Sequence, residues 1–385
     1  MKYRSHPRID FQPSALGFGC MRLPVIDRDQ SRIDDELAIP MVRHAIDQGV
    51  NYLDTAWPYH NGTSEAFVSR VVKDGYREKV KIADKYPTWE KIESLADADR
   101  IFDEQLKRLD DDHIDFYMLH ALCWPFWQKV KQFDLIDWIA RKKQDGLVSH
   151  VGFSFHDQLP LFKEILDAHD WDFCQIQYNY MDIGYQAGRE GLRYAHGKGI
   201  PVIVMEPLRG GDLVRNIPSD VQAVFDGAPV KRSLAEWALR WLWDQEEVWM
   251  ALSGMSAMSE AVENVSLAAS CETGGMSDKE KSIIARAREL YLARGPVGCT
   301  GCRYCMPCPQ GVDIQRLLGL LNEWRMFENR GKLRFFLGTV SGDARPDKCN
   351  ACGECLEKCP QHLDIPALMR ELVELYELLK VPEPQ

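Results

Sequence analysis

Two runs of cysteines near the C-terminus have a spacing that indicates a specific chemistry. The first run is CTGCRYCMPCP over residues 299–309, and the second is CNACGECLEKCP over residues 349–360. Three cysteines separated by two residues each can hold three irons of a [4Fe–4S] cluster, and the cysteine that precedes proline commonly binds the other cluster of a pair. The two runs therefore predict two [4Fe–4S] clusters.

The same spacing rule divides the ligands between the two clusters. One cluster would take Cys299, Cys302, Cys305 and Cys359, and the other would take Cys308, Cys349, Cys352 and Cys355. The first run has two residues rather than three before its fourth cysteine, which departs from the usual spacing. Zinc prefers separated pairs of ligands, and disulfides are rare in a reducing compartment, so both alternatives are weaker. The remaining cysteines lie in or beside apolar stretches and are predicted to be buried, inert thiols: Cys20, Cys123, Cys174 and Cys271.

Four polar residues at or just after the ends of short apolar segments form a second candidate group: Asp54, Tyr59, Lys85 and His120. Addition of a hydride to a carbonyl carbon requires a proton for the oxygen. Tyr59 can supply that proton if the ammonium of Lys85 lowers the tyrosine pKa from about 10 toward neutrality. Asp54 would hold Lys85, and His120 would orient the substrate oxygen. Each residue alone has an ordinary structural explanation, but the four together favour carbonyl reduction.

The elements that must position these residues alternate regularly between residues 15 and 270. Eight short apolar runs are separated by amphipathic segments, and no two runs are joined by a two-residue hairpin turn. This pattern predicts a (β/α)₈ TIM barrel, in which catalytic groups lie at the carboxyl ends of the strands. An open doubly wound sheet is the alternative, but the Gly17-Phe18-Gly19 segment lacks the third glycine of a dinucleotide fingerprint.

We expect three segments along the chain. A barrel domain covers residues 1–275, a connecting helix that opens on a Ser277–Glu280 capping box covers residues 276–298, and a small, mainly helical ferredoxin-like domain with two [4Fe–4S] clusters covers residues 299–385.

The composition excludes several classes of partner. The chain has 385 residues, 45% of them hydrophobic, and a net charge of −11. An acidic chain is poorly suited to nucleic acid, and the sequence contains no apolar run of eighteen residues that would cross a membrane. The first ten residues lack the apolar core of a secretory signal. We therefore expect a cytoplasmic protein without nucleic-acid or membrane partners.

Residues 15–270 resemble the aldo/keto reductase family, and the whole chain resembles the subgroup of that family with a C-terminal dicluster ferredoxin-type domain. The matching motifs are NYLDTA at 51–56, Tyr59, Lys85, YMLH at 117–120, VGFS at 151–154, QIQYN at 175–179, MEPL at 205–208, GMS at 254–256 and EN at 263–264. The resemblance implies a (β/α)₈ barrel, a nicotinamide cofactor bound without a Rossmann unit, and a catalytic tetrad in which Tyr59 is the proton donor.

The resemblance also implies a set of cofactor-binding residues. Ser154 and Gln175 match the region that binds the carboxamide, and Met205 stands where many members place an aromatic ring. Gly254 and Glu260 stand where NADP-dependent members often carry a lysine and an arginine for the 2′-phosphate. Because Glu260 would repel a phosphate, we expect a weakened preference for NADPH, with NADH and NADPH both open. The full set is Gly19, Met21, Ser154, Gln175, Met205, Pro207, Leu208, Gly254, Ser256, Glu260 and Asn264.

Three functional hypotheses follow, because a nicotinamide transfers two electrons as hydride and a cluster passes one. The first is a reductase of a small carbonyl substrate whose clusters exchange electrons with a partner protein. The second is a reductase whose clusters are structural or dock a partner. The third is an iron–sulfur electron-transfer protein whose barrel is mainly a binding module. Trp57, Trp124 and Trp127 follow predicted strands and either pack the core or form an aromatic wall around the substrate.

Overall fold

A computed structural model gives the structure of the protein over residues 1–215, 217–299, 304–340 and 342–380. The predicted ligand Cys302 lies outside these described residues. The chain divides into two compact units. The first unit comprises residues 1–213 and 232–281, and the second comprises residues 214–231 and 282–385.

The strands of the first unit close into a parallel barrel. Among the described residues, eight strands follow one another around the barrel in chain order, and the last pairs with the first. They are β1 (Leu16–Gly19), β2 (Tyr52–Asp54), β3 (Lys81–Tyr86), β4 (Ile114–Leu122), β5 (Val148–Phe155), β6 (Phe173–Gln177), β7 (Val202–Met205) and β8 (Val248–Gly254). The predicted (β/α)₈ barrel is confirmed, and the open doubly wound sheet is excluded.

Helices connect the strands. In chain order they are α1 (Asp35–Asp47), α2 (Ser64–Val71), α3 (Leu95–Leu109), α4 (Trp124–Gln132), α5 (Leu135–Gln144), α6 (Leu159–Asp167), α7 (Gly188–Gly197), α8 (Ser219–Asp226), α9 (Leu234–Trp243) and α10 (Met258–Ala269). N-terminal capping residues explain where several of these helices begin. A capping box of Ser94 and Asp97 opens α3, and the Ser233 side chain accepts from the backbone N–H of Glu236 at the start of α9.

Side chains alternate between the inside of the barrel and the layer beneath the helices, as strand geometry requires. Tyr52, Ala83, Phe116 and Phe173 pack together inside the barrel. Their strand neighbours, such as Ile82, belong to the larger apolar layer between strands and helices. As a result, the last inward-facing side chain of each strand lies at the carboxyl end of the barrel.

The second unit has its own apolar core. Within its described residues it contains helices and no strand: α8, the larger part of α11 (Asp278–Leu292), α12 (Ile314–Phe327), α13 (Arg330–Gly338), α14 (Glu354–Lys358) and α15 (Ile365–Lys380). Leu317, Leu321 and Leu372 are fully buried in this core. The predicted capping box before α11 is present, since the Ser277 N–H donates to Glu280 Oε2 at 2.7 Å. No helix in the described residues is both long and apolar enough to span a membrane.

Gly152 allows β5 and β6 to approach closely. A Cβ at this position would lie 2.6 Å from the carbonyl oxygen of Phe173, its register partner on β6. Two residues further along, the same pairing places Ser154 opposite Gln175. The glycine therefore sets the strand spacing on which two predicted site residues depend.

We expect Gly152→Ala to destabilise the barrel by about 1–3 kcal/mol, because the added methyl meets backbone that cannot move without shifting β6. Urea unfolding followed by tryptophan fluorescence measures the effect. Gly197→Ala is the matched control, since Gly197 ends α7 and a Cβ there has open space around it. Equal midpoints for the two variants would contradict the proposed role of Gly152.

Candidate active site

Three of the four predicted catalytic residues lie at the carboxyl ends of consecutive strands. Asp54 ends β2, and Lys85 and His120 lie near the ends of β3 and β4. Tyr59 begins the short 3₁₀ turn that follows β2. The exposed fractions of Asp54, Lys85 and His120 are 1%, 1% and 8%, so the structure gathers these polar groups at one buried place.

Lys85 is the centre of this group. Its Nζ donates to Asp54 Oδ1 at 2.5 Å and to the carbonyl oxygen of Thr55 at 2.6 Å. The same Nζ lies 4.6 Å from the centre of the Tyr59 ring. The ammonium is thus fixed between a carboxylate and the phenol that is predicted to donate the proton.

His120 faces Tyr59 from the neighbouring strand. The two rings meet edge to face, with their centres 6.0 Å apart. Two hydrogen bonds fix the backbone around the histidine, since Thr88 Oγ1 donates to the His120 carbonyl at 2.6 Å and the Ala121 N–H donates to Ser154 Oγ at 2.7 Å. The buried Nδ1 of His120 has no hydrogen-bond partner among the described residues, so it is available to a bound molecule.

The protonation states follow from burial and the nearby charges. Burial opposes the charged form of Lys85, but Asp54 and Tyr59 outweigh it and raise the lysine pKa above its usual value. Burial, with Lys85 and His156 nearby, holds the His120 pKa well below its usual value, so the imidazole is neutral. The site therefore combines a firmly charged ammonium with a neutral histidine.

The expected lowering of the Tyr59 pKa toward neutrality is wrong. Burial raises the pKa of Tyr59, and although Lys85 lowers it, Asp54 adds to the rise. The phenol consequently stays protonated at neutral pH. A protonated phenol is the form that can give a proton to a substrate oxygen.

Several residues predicted to bind the nicotinamide lie near this group. Gln175 is 1% exposed, its amide faces the Asp54 carboxylate, and its Oε1 has no hydrogen-bond partner among the described residues. An unpartnered, buried acceptor fits the N–H of a carboxamide. The Ser154 hydroxyl accepts from Ala121, and its own proton remains available to a ligand. The residues present therefore fit a carboxamide at this position.

The other predicted cofactor positions occupy the ends of β7, β8 and β1. Gly19 and Gly254 are register partners at the ends of β1 and β8, and Met21 is half exposed just beyond. Met205 ends β7, and Pro207 and Leu208 lie in the turn after it.

Two of the remaining positions are already engaged within the protein. Glu260 Oε2 accepts from the Ser256 backbone N–H at 2.8 Å, and Asn264 Nδ2 donates to Ser253 Oγ at 3.3 Å. The Glu260 carboxylate is thus held against the loop after β8.

Two residues near the site were not predicted. Arg22 lies along Gly254, with its Cδ 3.2 Å from the position of an added Cβ, and its guanidinium pairs with Glu206 at 2.9 Å. Trp89 packs against His120, with ring centres 5.0 Å apart. Both residues follow the carboxyl ends of strands, and this position in the sequence could have marked them as candidate site residues.

The predicted tryptophans have different roles. Trp127 is buried and donates to Glu164 at 2.6 Å, so it packs the wall. Trp57 lies under the guanidinium of Arg108 at 3.8 Å. The aromatic surface beside His120 comes instead from Trp89.

Five cysteines of the second unit line one cavity. This cavity has an open volume of about 410 Å³ and is lined by Cys305, Cys308, Cys349, Cys352 and Cys355. Burial raises the pKa of Cys355 to about 11, and the neighbouring Cys349, Cys352 and Cys305 add to the rise. Four of these five are the ligands predicted for one cluster. Cys305 is a predicted ligand of the other cluster, as are Cys299 and Cys359. Cys299 and Cys359 are partly buried and do not line the cavity.

The scattered cysteines are mostly inert. Cys20, Cys174 and Cys271 are buried, and burial raises the pKa of each. Cys123 is only partly buried, so the prediction of a buried thiol is wrong there because the residue caps α4 at the end of a loop. The described cysteines are all free of disulfide bonds.

Family models match both parts of the chain. The model of the aldo/keto reductase family matches residues 15–280, and a 4Fe-4S dicluster domain matches residues 298–363. The chain is 26% identical to the NADH-specific methylglyoxal reductase of Escherichia coli (strain K12) over 66% of its own length and 90% of that protein. It is also 26% identical to the L-galactose dehydrogenase of Arabidopsis thaliana, over 70% of its own length and 89% of that protein.

Solved structures of aldo-keto reductases also resemble the chain. The holo form of the aldo-keto reductase AKR11C1 from Bacillus halodurans superposes with a TM-score of 0.61 at 26% identity, covering 74% of this chain and 96% of that one. An aldo-keto reductase from Klebsiella pneumoniae in complex with NADPH superposes with a TM-score of 0.58 at 20% identity, covering 74% and 94%. The second likeness supports the fold alone.

We expect Tyr59 to ionise only above about pH 10, because its pKa is raised above that of a free tyrosine. The difference between ultraviolet titrations of the wild type and Tyr59→Phe isolates this ionisation. Because the folded state holds the proton more tightly than the unfolded chain does, the stability contributed by Tyr59 is complete below about pH 10 and is lost as pH rises through the folded pKa. A tyrosinate signal from Tyr59 near neutral pH would contradict the burial argument.

Proposed function

Because the chain belongs to the aldo/keto reductase family, we propose that it reduces a small aldehyde or ketone with NADH or NADPH and that Tyr59 is the proton donor. The observation that carries this proposal is the fixed ammonium of Lys85, 2.5 Å from Asp54 Oδ1 and directly over the Tyr59 ring. This arrangement stabilises the negative charge that Tyr59 acquires when it gives up its proton.

The residues of the barrel divide the remaining work. A bound nicotinamide supplies the hydride, and Ser154 and Gln175 hold its carboxamide. Tyr59 gives its proton to the carbonyl oxygen of the substrate, and the neutral His120 donates a hydrogen bond to the same oxygen. Trp89 forms an apolar wall beside His120, which favours a planar or apolar carbonyl compound.

The remaining cofactor residues are proposed to hold the rest of the nucleotide along the ends of β1, β7 and β8: Gly19, Met21, Met205, Pro207, Leu208, Gly254, Ser256, Glu260 and Asn264. The Glu260 carboxylate disfavours a 2′-phosphate by charge repulsion. We therefore propose that NADPH loses its usual advantage here. The name of the Escherichia coli relative, which is NADH-specific, agrees with this direction.

We further propose that the second part of the chain carries two [4Fe–4S] clusters, with the ligand sets predicted above. In the described residues, no three or more His, Cys, Asp or Glu side chains are placed so that they could hold a single metal ion. Five cysteines around one cavity fit a cluster instead, because each ligand of a cluster binds a different iron. The clusters would exchange electrons with a redox partner protein, and the need for free thiolates suits the cytoplasm.

The proposed domain boundaries are those expected from the sequence: a reductase barrel over 1–275, a connecting helix over 276–298 and a ferredoxin-like domain over 299–385. The net charge of −11 continues to argue against a nucleic-acid partner.

We expect Tyr59→Phe to lower kcat for carbonyl reduction by about 10²–10⁴-fold, because the proton donor is lost while the ring is kept. The assay uses purified holoprotein with NADH and NADPH in parallel against a panel of aldehydes and ketones. Tyr52→Phe is the matched control, since Tyr52 is another tyrosine of the barrel, is fully buried, and its hydroxyl has no partner among the described residues.

Unchanged turnover in Tyr59→Phe would refute the assigned role of Tyr59. Absence of nicotinamide-dependent turnover in the wild type would instead favour an electron-transfer protein. Clearly tighter binding of NADPH than of NADH would contradict the role given to Glu260.

We expect Cys355→Ser to lower the iron content of anaerobically purified protein from about eight to about four atoms per chain, because one of two four-iron clusters loses a ligand. Iron and acid-labile sulfide analysis with electron paramagnetic resonance measures the loss. Cys271→Ser is the control, since Cys271 is buried and belongs to the barrel unit. Stoichiometric zinc in the wild type would count against the clusters.

A further inference from the structure

A second group of buried charges lies behind Lys85, on the opposite face of β3. Asp84 alternates with Lys85 along the strand and points toward the helices, and none of its surface is exposed. Its Oδ1 accepts from the backbone N–H of Lys85 at 2.8 Å. Its Oδ2 has no hydrogen-bond donor among the described residues. A buried carboxylate oxygen without a donor is costly, so this oxygen requires an explanation.

The Asp84 carboxyl meets a second carboxyl, that of Glu65 on α2. Glu65 is also fully buried, and each of the two carboxyls lies close enough to shift the pKa of the other through a side-chain hydrogen bond. An ionised carboxylate only accepts hydrogen bonds, so two ionised carboxylates cannot bond to each other. Two such groups at one buried place share a single proton.

The surrounding donors decide which carboxyl holds that proton. Glu65 Oε2 accepts from Arg108 Nη1 at 2.9 Å, and Glu65 Oε1 accepts from Gln105 Nε2 at 3.1 Å. Both oxygens of Glu65 thus have donors, and one of these donors is charged. Asp84 has one donor, the uncharged backbone N–H of Lys85. The charge therefore belongs on Glu65 and the proton on Asp84.

The same network holds the backbone of Lys85 from its other side. Gln105 Nε2 also donates to the carbonyl oxygen of Lys85 at 3.1 Å. The orientation of this amide is fixed by the Tyr117 hydroxyl, which donates to Gln105 Oε1 at 2.6 Å. The N–H of Lys85 is thus bound by Asp84 and its C=O by Gln105, and both are connected through Glu65.

We propose that Asp84 is a protonated carboxylic acid that donates its proton in a hydrogen bond to the Glu65 carboxylate, and that this pair, with Gln105, positions Lys85 in the tetrad. The positioning role rests on the proposed function, whereas the shared proton does not. Asp84, Glu65 and Gln105 are fully buried and bind one another or the Lys85 backbone, so they are positioning residues that act through Lys85.

The charged and titratable groups that face the pair agree with this assignment. Burial and the Glu65 charge raise the pKa of Asp84 well above its usual value, and the Lys85 backbone and ammonium offset only part of that rise. Burial also raises the pKa of Glu65, but Arg108 opposes it directly. The remaining titratable neighbours are tyrosines on β3 and β4, Tyr86 and Tyr117, and burial raises the pKa of both hydroxyls.

Infrared spectroscopy of protein labelled with ¹³C-aspartate tests the shared proton. At neutral pH we expect the C=O stretching band of one protonated aspartic acid, which Asp84→Asn removes. Asp115→Asn is the matched control, because Asp115 is also buried and also accepts from a β3 backbone N–H, that of Ile82, but pairs with two cations, Lys81 and Arg77. Glu65→Gln keeps the shape of the pair but removes the charge that keeps Asp84 protonated, so it weakens or shifts the band. Absence of the band in the wild type, or its survival in Asp84→Asn, would overturn the proposal.

Kinetics tests the positioning role. We expect Asp84→Ala to lower kcat by about tenfold or more while the substrate KM changes by less than about twofold, because Lys85 loses its fixed geometry but no substrate contact is removed. Asp84→Asn should recover most of the lost kcat, since its amide donates to Glu65 as the acid does. Equal kcat values for the wild type and Asp84→Ala would refute positioning.

The ultraviolet titration of Tyr59 gives a readout that does not depend on turnover. In Asp84→Ala we expect the Tyr59 ionisation to move to higher pH, because the Lys85 ammonium no longer sits over the ring. If the wild type shows no nicotinamide-dependent turnover, the proposed function fails, and the infrared band and this titration still decide the inference. An unchanged Tyr59 titration would then refute it. If Asp84→Ala does not fold, Glu65→Gln is measured by infrared spectroscopy and by the ultraviolet titration. We then expect a weakened or shifted aspartic acid band and a Tyr59 ionisation at higher pH, and no change in either would refute the inference.

Discussion

The arrangement of the site depends on one buried ion pair, between the Lys85 ammonium and the Asp54 carboxylate at 2.5 Å. Removing two charges from water costs several kcal/mol each, and such a pair is stable only when further hydrogen bonds satisfy both groups. The Thr55 carbonyl and the Tyr59 ring complete the surroundings of the ammonium. The two residues come from adjacent strands, β2 and β3, whose register places Asp54 opposite Ala83. Pairing of β2 with β3 is therefore what brings the charges together.

The backbones of the candidate catalytic residues are held by hydrogen bonds, as the side chain of Lys85 is. Thr88 binds the carbonyl of His120, Ser154 binds the next N–H, and Gln105 binds the carbonyl of Lys85. Donors and acceptors of this kind cost little reorganisation during a reaction, because folding has already oriented them. These residues around the strands thus contribute to the site because they hold the backbones of Lys85 and His120 in place.

The sequence predicted the features that depend on local periodicity and failed where burial or helix packing decides. The eight strands were recognisable because parallel strands are short apolar runs. The partner of Asp84 was not predictable, since Glu65 approaches it only after α2 packs on the barrel. The sign of the Tyr59 pKa shift was predicted wrongly because desolvation outweighs the nearby ammonium, and the sequence does not show desolvation. Likewise Trp127 and Trp89 look equivalent in the sequence, although only Trp89 contacts His120.

The chemistry proposed for the two halves of the chain differs in the number of electrons transferred in one step. The candidate tetrad belongs wholly to the barrel unit, and the described cysteines of both runs belong wholly to the second unit. The proposed proton donation by Tyr59 would accompany transfer of an electron pair, whereas a [4Fe–4S] cluster changes its charge by one electron at a time. Electron exchange between the two chemistries therefore requires a third participant that accepts a pair and releases single electrons, either a flavin-like carrier or a substrate with a stable radical state. That requirement restricts the carbonyl compounds that could link both halves to conjugated ones, and the aromatic surface of Trp89 beside His120 is suited to such planar compounds.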